Sequence, residues 1–275
     1  MLGNATIMAL IIMDSQLHTP MYFFLNNLSL VDICFTSVTV PKMLQNMMSK
    51  SKSISFHGCI VQLYSLFCTG SMECFLLAVM AYDRYVAICK PLHYTLLMNK
   101  TSCLLLVAGC WVFTLLHSLL HIIMVMRLSF CGPNTIHHFF CDLPPLLKLS
   151  CSDTSINEIL IFTEGSLVTM SPFVFIVASY VRIISTILQI HSSEGRYKAF
   201  STCSSHLTVV ALFFGTIFFT YFRPTSVNAL EKESVVTVMY TVLTPLFNPF
   251  IYSLRNNEMK GALKRTFRIY NLRKE

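Results

Sequence analysis

Charge is scarce in this chain. Only 12% of its 275 residues are Asp, Glu, Lys or Arg, while 54% are hydrophobic. An ordinary soluble domain carries about twice that charged share, so a soluble globular fold is the weak reading. No positively charged stretch precedes the first apolar run, Ala5 to Met13, and no small-residue cleavage site follows it, so no signal peptide is expected. A C-terminal prenylation box is lacking, and no cysteine follows Cys203. Strict alternation of apolar and polar residues is also missing, which excludes a membrane barrel. The formal net charge of +7 is not gathered into one patch, as nucleic-acid binding would need. The basic residues cluster near segment ends, at Arg196 and Lys198 and then at Lys260, Lys264, Arg265 and Arg268.

What is present is a series of long apolar blocks, at about 1–13, 20–48, 58–82, 101–125, 156–190, 197–222 and 234–254. Their length is that of a helix crossing a bilayer rather than of a strand of about ten residues. Within a membrane every backbone polar group must be satisfied inside its own segment, so the blocks are read as helices. Pro41, Pro172 and Pro245 lie inside blocks and are expected to kink them. The first block reaches only about 20 Å against a hydrocarbon core of about 30 Å, so the first helix is expected to be incomplete.

Loop charge orients the bundle. Arg84, Lys90, Lys100, Arg182, Arg196, Lys198, Arg255, Lys260, Lys264, Arg265, Arg268, Arg273 and Lys274 fall on one side. Lys42, Lys50, Lys52, Arg127, Lys148, Arg223 and Lys232 fall on the other. Thirteen against seven places the C-terminus in the cytoplasm by the positive-inside rule. Met259, Leu263 and Phe267 then recur every four residues beside Lys260, Lys264 and Arg268, which predicts an amphipathic helix lying on the inner leaflet and touching membrane lipid. The expected division is residues 1–254 as a seven-helix receptor domain and 255–275 as a cytoplasmic amphipathic helix and tail.

Four motifs stand in order along the chain: Leu17-His18-Thr19-Pro20-Met21-Tyr22; Met80-Ala81-Tyr82-Asp83-Arg84-Tyr85-Val86-Ala87-Ile88-Cys89; Lys198-Ala199-Phe200-Ser201-Thr202-Cys203; and Pro245-Leu246-Phe247-Asn248-Pro249-Phe250-Ile251-Tyr252. Together they resemble the olfactory receptors, a branch of the rhodopsin-like G-protein-coupled receptors. The fold class that follows is an all-α membrane protein, a seven-transmembrane helix bundle with a short amphipathic eighth helix. The resemblance places Gly3-Asn4 in the middle of the family's first helix, so an N-terminally truncated copy is expected, one that would be retained inside the cell. It also implies a multi-pass plasma-membrane receptor that is not an enzyme. Such a receptor binds a small-molecule odorant and activates a stimulatory, olfactory-type heterotrimeric G protein. The alternatives are a non-signalling, pseudogene-derived chain or another small-ligand rhodopsin-like receptor. A transporter or channel would show a continuous polar path and internal repeats, and neither is apparent.

Candidate site residues follow from chemistry and from the resemblance together. A guanidinium at the end of the third helix is costly unless paired, and Asp83 is the adjacent carboxylate. The resemblance makes Asp83, Arg84 and Tyr85 a G-protein switch, released when that pair breaks. Asn248, Pro249 and Tyr252 form a second switch element, in which the proline makes a hinge. Asp32 and Glu73 lie inside apolar blocks and need compensation. The resemblance places Asp32 where related receptors bind sodium. Protonation of one carboxylate, or hydrogen bonds to Asn248, Ser29 and water, are the other solutions. No other cofactor is expected.

Four cysteines on the outer side, Cys59, Cys131, Cys141 and Cys151, allow three disulfide connectivities. The family pattern selects Cys59–Cys141 and Cys131–Cys151. A zinc site using His137 and His138 is the weaker rival.

Helical spacing from Arg84 puts Phe67, Gly70, Ser71 and Cys74 on one face of the third helix. Phe214, Ile217, Phe218 and Tyr221 make the matching stripe on the sixth. Two such stripes predict an apolar, aromatic ligand pocket, with packing core as the bland alternative. Glu164 could add a polar handle or face the loop. Where many olfactory receptors show Phe-Tyr-Gly, this chain has Phe213-Phe214-Gly215, so a hydroxyl proposed to help activation is absent.

Overall fold

A computed structural model describes residues 1–49, 53–132, 135–136, 140–221, 246, 248–249, 251 and 257–272. Its helices are α1 (Leu2–Met13), α2 (Pro20–Met48), α3 (Phe56–Cys89), α4 (Lys100–Met126), α5 (Ser155–Leu188) and α6 (Ser193–Tyr221), followed by a C-terminal helix, Asn257–Leu272. Helices α2 to α5, together with the stretch Ser193–Phe219 of α6, are long and apolar enough to cross a bilayer. The chain is thus an all-helical, multi-pass membrane protein. The twelve residues of α1 are apolar but shorter. Most of the seventh apolar block, including Pro245 and Tyr252, lies outside the described residues, as do His137 and His138.

Local chemistry sets the helix ends. Pro20 opens α2 at a position where its missing N–H costs nothing. The Ser55 hydroxyl caps α3 by accepting from the Gly58 amide, and the Asn99 side chain caps α4 by accepting from Ser102. Pro41 and Pro172 lie inside continuous helices. Ile161–Gly165 of α5 winds as a π-turn, a local widening that re-aims the side chains on it.

Helix α3 sits at the centre. Leu63, Met72, Leu76, Met80, Ala81 and Val86 along it are fully buried, and α2, α4, α5 and α6 pack around it. By contrast α4 and α5 leave broad apolar faces outward, such as Leu104, Leu105, Leu116, Val174 and Val181. That is the pattern of helices solvated by lipid. Gly3 of α1 lies so close to Pro249 that an added Cβ would come within 3.0 Å of the proline ring. A side chain there would push the proline ring aside, so the glycine permits the close approach.

The C-terminal helix is amphipathic, but its buried side differs from the one expected. Met259 and Ala262 enter the main core, whereas Leu263 is 37% exposed. The reason is tertiary: the helix leans on the corner between α1 and α2. There the Arg265 guanidinium donates to Asp14 Oδ2 from Nε at 2.9 Å and from Nη2 at 2.7 Å, and the Tyr22 hydroxyl donates to Glu258 at 2.8 Å.

Candidate functional site

One end of the bundle is closed by covalent bonds. Cys59 at the start of α3 is joined to Cys141, and Cys131 to Cys151, so the segment between α4 and α5 is tied both to the central helix and to itself. Gln62, one turn beyond Cys59 on α3, supports the tie: its side-chain oxygen accepts from the Cys141 amide at 3.2 Å. Asp142 caps the short helix Leu143–Leu147, accepting from the Leu143 amide at 2.7 Å. Burial outweighs that bond and raises its carboxyl to about 6.

Below this lid the candidate ligand residues fall into two groups. Phe67 joins the cluster around Cys59, Leu63, Ile122 and Cys141, with its ring stacked on His121 of α4 at 4.5 Å and 5°. Cys74 and Phe214 are buried in the main core, with Ile217 and Phe218 packed against it. Phe218 meets Phe173 of α5 edge to face at 5.0 Å, and Phe214 lies 5.1 Å from the same ring. Phe173 follows Pro172, the proline inside α5, the one sequence signal that could have singled it out. Between the groups Ser71 is buried, and a Cβ added at Gly70 would meet nothing within 4 Å. Tyr221 ends α6, and its side chain lies outside the described residues.

The structure corrects the arrangement expected at the far end of α3. Asp83 does not hold Arg84 in an ion pair: its buried carboxylate accepts from the Tyr94 hydroxyl at 2.8 Å. Successive residues on a helix point about 100° apart and do not face each other. Arg84 has no salt bridge among the described residues, and its Nε is buried without a hydrogen-bond partner. Burial, and then the facing Asp83, push the Tyr94 phenol up. Tyr94 went unread because it lies in the following loop, with no spacing to tie it to Asp83.

Another bond set missed in the sequence links α3, α5 and α6. His206 Nε2 lies 3.1 Å from the Leu77 carbonyl, and the Tyr180 hydroxyl is 2.8 Å from His206 Nδ1. A carbonyl only accepts, so Nε2 carries the proton, and Nδ1 accepts from Tyr180. All three groups are buried.

Asp32 is fully buried, and Asn248 donates to both of its oxygens, at 3.4 and 3.2 Å. Asn4 of α1 and Glu73 of α3 are buried beside it. The α1, α2, α3 and seventh segments therefore meet around two adjacent carboxyl groups, whose charge is costly in apolar surroundings unless compensated. A groove of about 580 Å³ lies elsewhere, between the α1–α2 corner and the start of α4. Leu17, His18, Thr19, Pro20, Met98 and Cys103 line it, so part of the first motif faces this groove rather than the ligand residues.

A helical bundle with outward apolar faces, a disulfide-tied lid and an aromatic interior defines a polytopic membrane protein. The olfactory receptor family model matches residues 1–269. The chain is 56% identical over 266 residues to olfactory receptor 1E16 of Mus musculus, covering 97% of this chain and 85% of that one. It is 57% identical over 264 residues to olfactory receptor 1F1 of Homo sapiens, covering 96% and 85%. Olfactory receptor 1 of Rattus norvegicus is 56% identical over 266 residues, again covering 97% and 85%. The chain belongs to the olfactory receptor family.

Proposed function

We propose that the chain binds small, mainly apolar volatile ligands between α3, α5 and α6 and, on binding, activates a stimulatory, olfactory-type heterotrimeric G protein. The observation that carries the ligand class is the aromatic set Phe173, Phe214 and Phe218 joining α5 to α6 at the main core. Such a lining offers contact area and few polar handles beyond Ser71, which suits a ligand held by dispersion and burial. No bond of the ligand is made or broken. The ligand shifts a population between two packings of the bundle, and only differential affinity for the two can do so.

The switch side is read as follows. The C-terminus and the Asp83–Tyr94 end face the cytoplasm, as the loop charges require. The division of the chain into a receptor domain at 1–254 and a cytoplasmic helix and tail at 255–275 belongs to this reading. Arg84, with Asp83 and Tyr85 beside it, meets the G protein once α6 moves. That movement must break the Tyr180–His206–Leu77 bonds. Asn248, Pro249 and Tyr252 provide the hinge on the seventh helix. Asp32 and Glu73 hold a sodium ion in the resting packing, which offsets the charge of two adjacent carboxylates.

The test is a panel of volatile odorants applied to cells expressing the chain, read as cyclic AMP at matched surface level. Arg84→Ala should abolish the response, while Ser71→Ala and Phe218→Leu should reorder the odorants. Retained signalling by Arg84→Ala would remove that residue from the mechanism. Uniform loss for all odorants in the other two would mark them as packing core.

A further inference from the structure

Two histidines on α4 are not used by the ligand or switch readings. His117 and His121 are one helical turn apart, so both point to one face, and that face is buried between α3 and α5. Their Nε2 atoms lie 3.2 Å apart. Glu164, on the π-turn of α5, brings a carboxylate oxygen to the same spot, with one ligand atom from each residue within 4.8 Å of the others. No other group of three His, Cys, Asp or Glu side chains among the described residues comes together in this way.

We propose that His117, His121 and Glu164 form a zinc site that clamps α4 to α5 in the disulfide-bearing half of the bundle. Three arguments carry it. Tetrahedral zinc with bonds of about 2.0–2.1 Å to nitrogen sets its donors roughly 3.3 Å apart, which is the spacing the two imidazoles already have. Two imidazoles and a carboxylate form a donor set that suits zinc and leaves a fourth position open, whereas calcium and magnesium require oxygen donors. Finally, His117 is 8% and His121 2% exposed, so both imidazoles are shielded from the bulk water that would otherwise compete for the ion. Glu164 is only half-buried and already holds its oxygen within 4.8 Å of both imidazoles, on a π-turn that offsets the helical phase of α5 at this level.

Phe67 packs its ring flat on His121, and Phe113 stacks on His117 at 5.9 Å. These rings fix the imidazole planes before any ion arrives, which lowers the ordering cost of binding. The zinc then cross-links α4 to α5.

The experiment uses the full chain in lipid nanodiscs, stripped with a chelator and titrated with zinc chloride, with magnesium chloride as the control. Bound metal is counted after desalting, and the thermal midpoint is followed in parallel. One zinc per chain, a raised midpoint with zinc and no shift with magnesium are expected. Glu164→Gln should keep the metal-free midpoint and weaken zinc binding by at least about tenfold, and His121→Asn should do the same. If His121→Asn does not fold, Glu164→Gln alone decides. Zinc held equally well by the Glu164→Gln variant, or no stoichiometric zinc on the parent, would overturn the site.

Discussion

The two ends of the bundle are closed by different chemistry. At one end Cys59–Cys141 and Cys131–Cys151 tie the segment between α4 and α5 to α3 and to itself. At the other, the α1–α2 corner, the end of α3 and the C-terminal helix are held by Asp83 with Tyr94, Asp14 with Arg265, and Glu258 with Tyr22. A disulfide exchanges only through thiol chemistry, over minutes or longer. A hydrogen bond or ion pair exchanges with no covalent cost and contributes only about 0.5–3 kcal/mol. One end is therefore held by covalent bonds and the other by bonds that can exchange without covalent chemistry.

The largest test of this asymmetry removes the covalent end. Cys59→Ser or Cys141→Ser should each cost about 2–5 kcal/mol and abolish surface expression. The double variant should be no worse than either single one, because both break the same bond. Surface staining of unpermeabilised cells checks it, and additive damage would mean that the two sulfurs are not partners. Next, Tyr94→Phe leaves the buried Asp83 carboxylate without its hydroxyl donor and should cost about 1.5–3 kcal/mol. Ligand-independent cyclic AMP should rise as the end loosens, and an unchanged thermal midpoint in nanodiscs would break the comparison. Tyr180→Phe, which leaves His206 Nδ1 unsatisfied, should cost about 1–3 kcal/mol in the same assay.

Smaller effects separate the ends by their response to ions and acid. The Arg265 side chain is 42% exposed, so its pair with Asp14 should contribute only about 0.2–1 kcal/mol and weaken with salt. A double-mutant cycle of Arg265→Ala and Asp14→Asn measures it.

The hydrogen bond from Arg265 lowers the Asp14 carboxyl below its ordinary 3.8. A group depressed on folding contributes stability above its unfolded value, so this contribution persists at neutral pH and fades only as the pH falls below 3.8. Asp142 behaves in the opposite sense, because burial raises it from 3.8 to about 6. Its folded form binds the proton more tightly than the unfolded chain does, so stability at the disulfide-bearing end rises as the pH falls from 6 towards 3.8. Asp142→Asn should flatten the thermal midpoint across that window, and Arg265→Ala should leave it untouched.

Much of the fold was legible before any coordinates. The first six apolar blocks match α1 to α6 to within a few residues, apart from the C-terminal end of α3, which runs on to Cys89. A lipid-facing helix is a statement about local composition, and composition can be read from a window. The site was legible only where spacing on one helix was enough. Phe214 and Phe218 were found by the period of α6, and both do pack on one side, against Phe173. Phe173 itself was not found, because nothing local records which α5 residue faces α6. The same limit explains the reading of Asp83 with Arg84: adjacency along the chain stood in for adjacency in space, and on a helix the two are opposed.

Legible in the sequence alone were the class of solvent, the run of apolar blocks and the family. Each of these depends on residues close together in the chain or on a motif that names its own context. Tertiary structure alone decided the long-range partners. Tyr22 with Glu258 spans 236 residues and Asp14 with Arg265 spans 251, while His117, His121 and Glu164 meet only because a π-turn in α5 faces one stripe of α4. A side chain's partner depends on how helices rotate and cross, and that is settled by packing of the whole bundle rather than by any short stretch of it.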